Sequence, residues 1–239
     1  ITLSWGTAAR AIECVEEAMT RVPEGGAVAV IGTGIVGLTT AWELRRRWPE
    51  LAITLYAKDL DVRTTTSWVA GGQFEPSGIW REYQGSDARR EWFADVLRAS
   101  RDRVLSLAGD WARLGIAERD HFTLDHDQAA LEVHTPKDVL APYERGVLPF
   151  RALNFVGRRY RTWLLNPTLM LPALKAELAT TGVRFEARTF GSVADVAALP
   201  EPIVVNCTGY GAKTLWADEK MVALRGHVLS LPRTERLQD

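Results

Sequence analysis

Three glycines at a spacing suited to phosphate binding, Gly32, Gly34 and Gly37, follow the apolar run Ala27-Val28-Ala29-Val30-Ile31 and lead into residues with Ile35, Leu38, Ala41 and Trp42 on one helical face. In such a strand-turn-helix unit the first glycine makes the tight turn, the second lets backbone approach a pyrophosphate, and the third lets helix and strand pack closely. The opening N–H groups of the helix have no intrahelical acceptor and sit at the positive end of its dipole, so a diphosphate can be held without a charged side chain. A second apolar run, Ile53-Thr54-Leu55-Tyr56, completes a βαβ crossover. The chemistry this pattern implies is dinucleotide binding, with a purely structural glycine turn as the alternative. The second strand runs out into Ala57-Lys58-Asp59. Asp59 is the candidate acid for an adenosine ribose, displaced by one position; two solvated charges at a strand end is the competing reading.

Further stretches carry a family resemblance. Thr64-Thr65-Thr66-Ser67-Trp68-Val69-Ala70-Gly71-Gly72-Gln73-Phe74-Glu75-Pro76 resembles the flavin-facing loop of the D-amino-acid oxidase family, and Pro202-Ile203-Val204-Val205-Asn206-Cys207-Thr208-Gly209 resembles its returning strand. Leu224-Arg225-Gly226-His227-Val228 is similar to its Arg-Gly-Gln segment, with His in place of Gln. Arg161-Thr162-Trp163-Leu164-Leu165-Asn166-Pro167 and the helix leading to Gly182-Val183-Arg184-Phe185 also fit.

The resemblance implies an α/β fold: a Rossmann-like FAD-binding domain with a second, mainly antiparallel-sheet substrate domain. FAD is the implied cofactor. Thr33, Ile35 and Val36 would line the pyrophosphate turn, and Thr64, Thr65 and Thr66 would offer hydroxyl and backbone donors to phosphate and flavin. Gly71, Gly72 and Gln73 would run beside the isoalloxazine, and Thr208 would close the pocket. Phe190 would present its backbone to the adenine, unless it is a core aromatic. The plainer alternatives are a solvated threonine-rich loop at 64–66 and an ordinary Gly-Gly turn at 71–72. One extra residue near Trp68 places Glu75 where the family has a glutamine close to the substrate. An acid there favours a cationic side chain or amine.

The activity so implied is oxidation of a D-amino acid by O2 to a 2-oxo acid, ammonia and hydrogen peroxide, with hydride passing from Cα to flavin N5. Orientation in a water-poor pocket carries the catalysis and the cofactor supplies the chemistry. Three alternatives stay open: a glycine, sarcosine or D-aspartate oxidase of the same superfamily, a truncated non-catalytic flavin-binding module, and a nicotinamide-dependent dehydrogenase. Both ends of the chain, Ile1 and Asp239, read as cut. The family's substrate-clamping arginine, lid tyrosines and last glycine-rich segment are expected beyond residue 239.

Positioning these groups requires a globular scaffold, and 239 residues at 46% hydrophobic and 25% charged allow one. A net charge of −1 with dispersed Lys and Arg offers no nucleic-acid footprint. Arg45-Arg46-Arg47, Arg89-Arg90 and Arg158-Arg159 read as solvated helix faces. No apolar run is long enough to cross a bilayer. Cys14 and Cys207 suggest neither a disulfide framework nor a metal site, and His121, His126, His134 and His227 lack ligand spacing. Reduced thiols point to a cytoplasmic compartment, or a peroxisome in a eukaryotic cell; a homodimer is left open.

Residues 1–26 form an extension without a family counterpart, with Ile12, Val15, Ala18, Met19 and Val22 at helical spacing and Pro23-Glu24-Gly25-Gly26 as a stop. The FAD-binding domain is expected at 27–80 and 168–211, and the substrate domain at 81–167 and 212–239. Helical periodicity runs from Trp92 through Ile116. Phe122-Thr123-Leu124-Asp125, Leu131-Glu132-Val133 and Ala152-Leu153-Asn154-Phe155-Val156 alternate like antiparallel strands. Leu169 to Thr180 reads as helix and Val183 to Arg188 as strand.

Overall fold

A computed structural model describes residues 1–22, 26–75, 78–124, 135–150 and 155–223. The expectations at Pro23, Glu24 and Gly25, at Pro76, at His126 and His134, at residues 131–133 and 152–154, and at Arg225, Gly226 and His227 lie outside the described residues.

Four parallel strands are ordered β6-β2-β1-β7. They comprise β1 (Ala27–Ile31), β2 (Ala52–Ala57), β6 (Arg184–Ala187) and β7 (Ile203–Asn206). The register places Val30 beside Leu55 on one side and Val205 on the other. Val28 to Ile31 are almost fully buried, as an unbroken apolar run must be when a strand is covered on both faces. Helix α2 (Ile35–Arg47) links β1 to β2. Because β7 pairs in parallel with the other edge of β1, the order in which strands are added reverses there, and a crevice opens at the carboxyl ends of β1 and β7.

The amino-terminal extension forms α1 (Ser4–Met19), which packs on α2 and on α3 (Asp87–Ser106). Trp5 meets Trp42 edge-on at 5.2 Å. A Cβ on Gly6 would stand 2.0 Å from the Val96 carbonyl, so α1 and α3 touch at backbone distance. The buried Glu43 of α2 is paired with Arg103 of α3 at 2.6 Å and with Arg46 at 3.1 Å, which satisfies a carboxylate that could not be buried alone.

A second sheet is antiparallel, ordered β3-β5-β4: β3 (Ile116–Leu124), β5 (Val156–Leu165) and β4 (Tyr143–Val147). Helical periodicity does not continue through Ile116. After α4 (Trp111–Leu114), Gly115 adopts φ +66°, which ends the helix and turns the chain into β3. Arg158 and Arg159 lie on β5, not on a helix face; Arg159 pairs across the sheet with Asp120 at 2.7 Å, and Arg158 stacks over Tyr143 at 4.5 Å. Strand β4 carries no apolar alternation and is exposed throughout, so its pairing with β5 is what defines it.

The two sheets join where β5 runs into α5 (Pro167–Thr180), capped by the Asn166 side chain on Thr168 N–H at 3.0 Å. Leu165, Met170 and Leu171 share one core with Val28, Leu38, Leu55 and Ile116. Helices α6 (Val193–Ala197) and α7 (Ala212–Leu215) flank β7. Among the described residues no helix is long and apolar enough to cross a membrane, and no group of His, Cys, Asp and Glu could hold a metal ion.

Candidate functional site: a cleft at the start of the first crossover helix

The three glycines have three different surroundings. Gly32 has φ +122°, and a Cβ there would lie 2.2 Å from the Cys207 carbonyl where β7 ends. A Cβ on Gly37 would lie 1.9 Å from the Gly32 carbonyl. Both glycines are thus demanded by the protein's own backbone. Gly34 is extended, with φ −70° and ψ 177°, and its Cβ would face only the Ser67 hydroxyl, at 3.3 Å. Among the described residues, a side chain at that position would need only the Ser67 hydroxyl to give way by a few tenths of an ångström.

Around this turn opens a cleft of about 660 Å³, lined among others by Gly32 to Val36, Asp59, Thr64 to Ser67, Phe190 and Thr208. The intrahelical ladder of α2 begins with Leu38 N–H donating to Gly34 C=O at 3.0 Å, so the earlier first-turn amides have no intrahelical acceptor. The Ile35 N–H donates to Ser67 Oγ at 3.0 Å. Ser67 belongs to the same hydroxyl run as the threonines, and it is the side chain that meets the helix start. Reading the run as three threonines misses it.

Two of the three threonine hydroxyl protons are already committed: Thr64 Oγ1 donates to Asp61 C=O at 2.8 Å and Thr65 Oγ1 to Val62 C=O at 2.6 Å. Those two side chains can then act only as acceptors towards the cleft that all three threonines line. Asp59 lines the cleft while accepting from Asp61 N–H at 2.8 Å, and its carbonyl accepts from Thr33 Oγ1 at 3.3 Å. Phe190 sits edge-on to the buried Tyr56 at 5.9 Å, with the Arg188 guanidinium over its ring at 5.0 Å. Thr208 is held by Asn206, whose Oδ1 accepts from its N–H at 3.1 Å and from its hydroxyl at 2.7 Å. Beside it, burial pushes the Cys207 thiol up to about 11, so it stays protonated and acts as packing.

Gly71, Gly72, Gln73 and Glu75 do not line that cleft; they continue the edge of the antiparallel sheet. Leu165 N–H donates to Gly72 C=O and Phe74 N–H to Trp163 C=O, both at 2.8 Å. Gly72 has φ +76°, and its Cβ would meet the Leu165 carbonyl at 2.2 Å, so its glycine is required by β5. Gln73 pairs with Leu164. The Tyr160 hydroxyl donates to Glu75 Oε2 at 2.9 Å, and His121 Nε2 stands 3.5 Å from the same oxygen. His121 and Tyr160 face each other across β3 and β5. Glu75 and Tyr160 border a second cavity, of about 310 Å³. No local spacing could have joined Glu75 to Tyr160, 85 positions away.

Comparison with known proteins covers most of this framework. A D-amino-acid oxidase of Streptomyces coelicolor is 30% identical over 213 residues, spanning 85% of this chain and 58% of that protein. D-aspartate oxidase 1 of Caenorhabditis elegans is 24% identical, over 85% of this chain and 60% of that protein. The chain thus spans less than two thirds of the length of these curated relatives. Glycine oxidase from Geobacillus kaustophilus has a similar fold, with a TM-score of 0.56 at 19% identity over 82% of this chain and 59% of that one. The sequence model of the family described as FAD dependent oxidoreductase matches residues 27–239, a stretch that holds the glycine turn, the hydroxyl run and the returning strand together. The chain therefore belongs to the FAD dependent oxidoreductase family, and FAD is its cofactor.

Proposed function

We propose that the intact protein is an FAD-dependent D-amino-acid oxidase, with 27–80 and 168–211 binding FAD and 81–167 with 212–239 contributing to the substrate side. The observation that carries the cofactor assignment is Gly34, which lines the cleft at the start of α2 and whose Cβ would meet no backbone, only the Ser67 hydroxyl at 3.3 Å. A diphosphate there gives that glycine its reason. D-amino-acid substrates are supported by the Streptomyces relative. Bound FAD supplies the two-electron acceptor that couples oxidation of the amino acid to reduction of O2. The net reaction consumes D-amino acid, O2 and water and releases 2-oxo acid, ammonia and hydrogen peroxide.

In this reading the turn from Thr33 to Val36 carries the diphosphate, Thr66 and Ser67 contribute hydroxyls, and Asp59 takes the ribose. Phe190 and Thr208 close the two ends of the cleft, and Gly71, Gly72 and Gln73 border the ring system. Glu75 points its carboxylate at the substrate, steadied by Tyr160 and His121. A carboxylate at that point repels an acidic side chain and attracts a basic one. D-arginine and D-lysine should therefore be better substrates than D-aspartate.

The test is the visible spectrum of the full-length protein before and after anaerobic D-alanine or D-arginine, with peroxide measured across D- and L-amino acids. A yellow protein bleached by D-amino acids supports the proposal. Turnover of N-methylglycine with no response to D-amino acids would replace it with a glycine or sarcosine oxidase. A colourless protein that stays so after FAD is added would leave a non-catalytic module.

A further inference from the structure

The family match begins at residue 27, yet the extension ahead of it touches the substrate side directly. Residues 72–74 run beside β5 and the chain then bends, with Glu75 N–H donating to Gln73 C=O at 2.8 Å. Gly72 and Phe74 bond to β5. Beyond those bonds, a nearby donor can serve the remaining acceptor capacity of the Gln73 and Glu75 carbonyls.

Thr2 does so. Its hydroxyl proton is shared between the carbonyls of Gln73 at 2.9 Å and Glu75 at 3.0 Å, and its oxygen accepts from Glu75 N–H at 3.2 Å. Thr2 is 7% exposed, so little water competes for these bonds. The residue is itself held in place. Thr39 Oγ1 donates to the Ser4 carbonyl at 3.2 Å and to that of Ile35 at 2.9 Å, while Gly6 N–H donates to Ser100 Oγ at 2.8 Å. The start of α1 is therefore tied to the first turn of α2 and to α3, and Thr2 extends that tie to Glu75.

The geometry points to Thr2 as a positioning residue for Glu75, through which residues outside the family-matched stretch fix the distance between the cofactor cleft and the substrate-facing carboxylate. This inference rests on the reading that Glu75 faces the substrate. The extension is then a working part of the site and more than a covering helix.

The test compares Thr2→Val, which keeps the shape and removes the hydroxyl, with Thr2→Ser, which keeps it, in the full-length protein. Val15→Ala on the same helix, at a buried position far from the loop, serves as the purely structural control. Hydrogen exchange of the 71–75 amides should quicken roughly tenfold in Thr2→Val and stay at the parent rate in Thr2→Ser and Val15→Ala, since losing a shielded partner exposes backbone groups locally. In the same variant KM for a basic D-amino acid should rise by a similar factor with kcat within about twofold. Exchange in Thr2→Val within about twofold of the parent, or equal acceleration in Val15→Ala, would overturn the assignment. A protein that oxidises no amino acid would defeat the proposed function instead, and the exchange comparison would still decide what Thr2 does.

Discussion

The cleft at the start of α2 and the polar cluster on the antiparallel sheet are built by opposite routes. In the cleft, one short turn, Gly32 to Gly37, supplies the centre of the site, with Gly37 fixed by the Gly32 carbonyl and Gly32 by the end of β7. On the sheet, Glu75, His121 and Tyr160 come from three separate segments and meet only because β3 and β5 pair in one register. A site centred on a turn tolerates little change in the sequence of that turn, and the rest of the fold supplies its walls. A site made by register depends on every element that holds the strands in place, and each of its residues looks ordinary alone.

That contrast can be broken most sharply within the glycine turn. Gly32→Ala and Gly37→Ala drive a methyl into backbone carbonyls at 2.2 and 1.9 Å, and each should cost more than about 3 kcal/mol, seen as loss of soluble, cooperatively melting protein. Gly34→Ala should fold with a melting temperature close to the parent's, because its backbone suits any residue, yet bind FAD at least about tenfold more weakly by titration. Equal flavin affinity in Gly34→Ala and parent would remove the pyrophosphate from this turn.

Leu165 stands where the two regions join and is fully buried, so Leu165→Ala should cost about 2–5 kcal/mol in denaturant unfolding and loosen both sheets together. Separate transitions for the two sheets would show that they are energetically independent. On the sheet alone, Glu75→Gln should keep FAD binding unchanged while lowering kcat/KM for D-arginine about tenfold relative to D-alanine, because the charge and not the shape is removed. Unchanged relative rates would take Glu75 away from the substrate.

The smallest effect belongs to Arg159→Ala. Its cross-strand pair with Asp120 lies in water, and the melting temperature should move by less than about 2 °C. A larger drop would mean that exposed charge pairs, and not backbone register, hold the antiparallel sheet.

The same contrast explains what was legible before the structure. Strand β1 declares itself because both of its faces are buried, so it is apolar throughout; the helix after it is bounded by glycines whose roles are local. Strand β5 reads Val-Gly-Arg-Arg-Tyr-Arg-Thr-Trp-Leu-Leu, with ion-paired and exposed groups on both faces over its first half. The period-2 signal that marks a half-buried strand is missing there, which is why Arg158 and Arg159 looked like a helix face. Ser67 was visible as part of a hydroxyl run, but its choice over Thr66 as the partner of Ile35 N–H depends on how the 62–69 turns are wound.

Sequence alone determined that this chain makes a βαβ unit with a glycine turn at the start of its helix, because the apolar run, the glycine spacing and the helix-end amides belong to one short stretch. It also determined the family, through motifs of that same local kind. Only the tertiary structure decided that Tyr160 and His121 hold Glu75, that Gly72 answers to β5, and that Thr2 reaches Gln73 and Glu75. Those contacts span 46 to 93 positions, and pairing over such distances is chosen by how strands and helices pack together, which no short stretch of residues encodes.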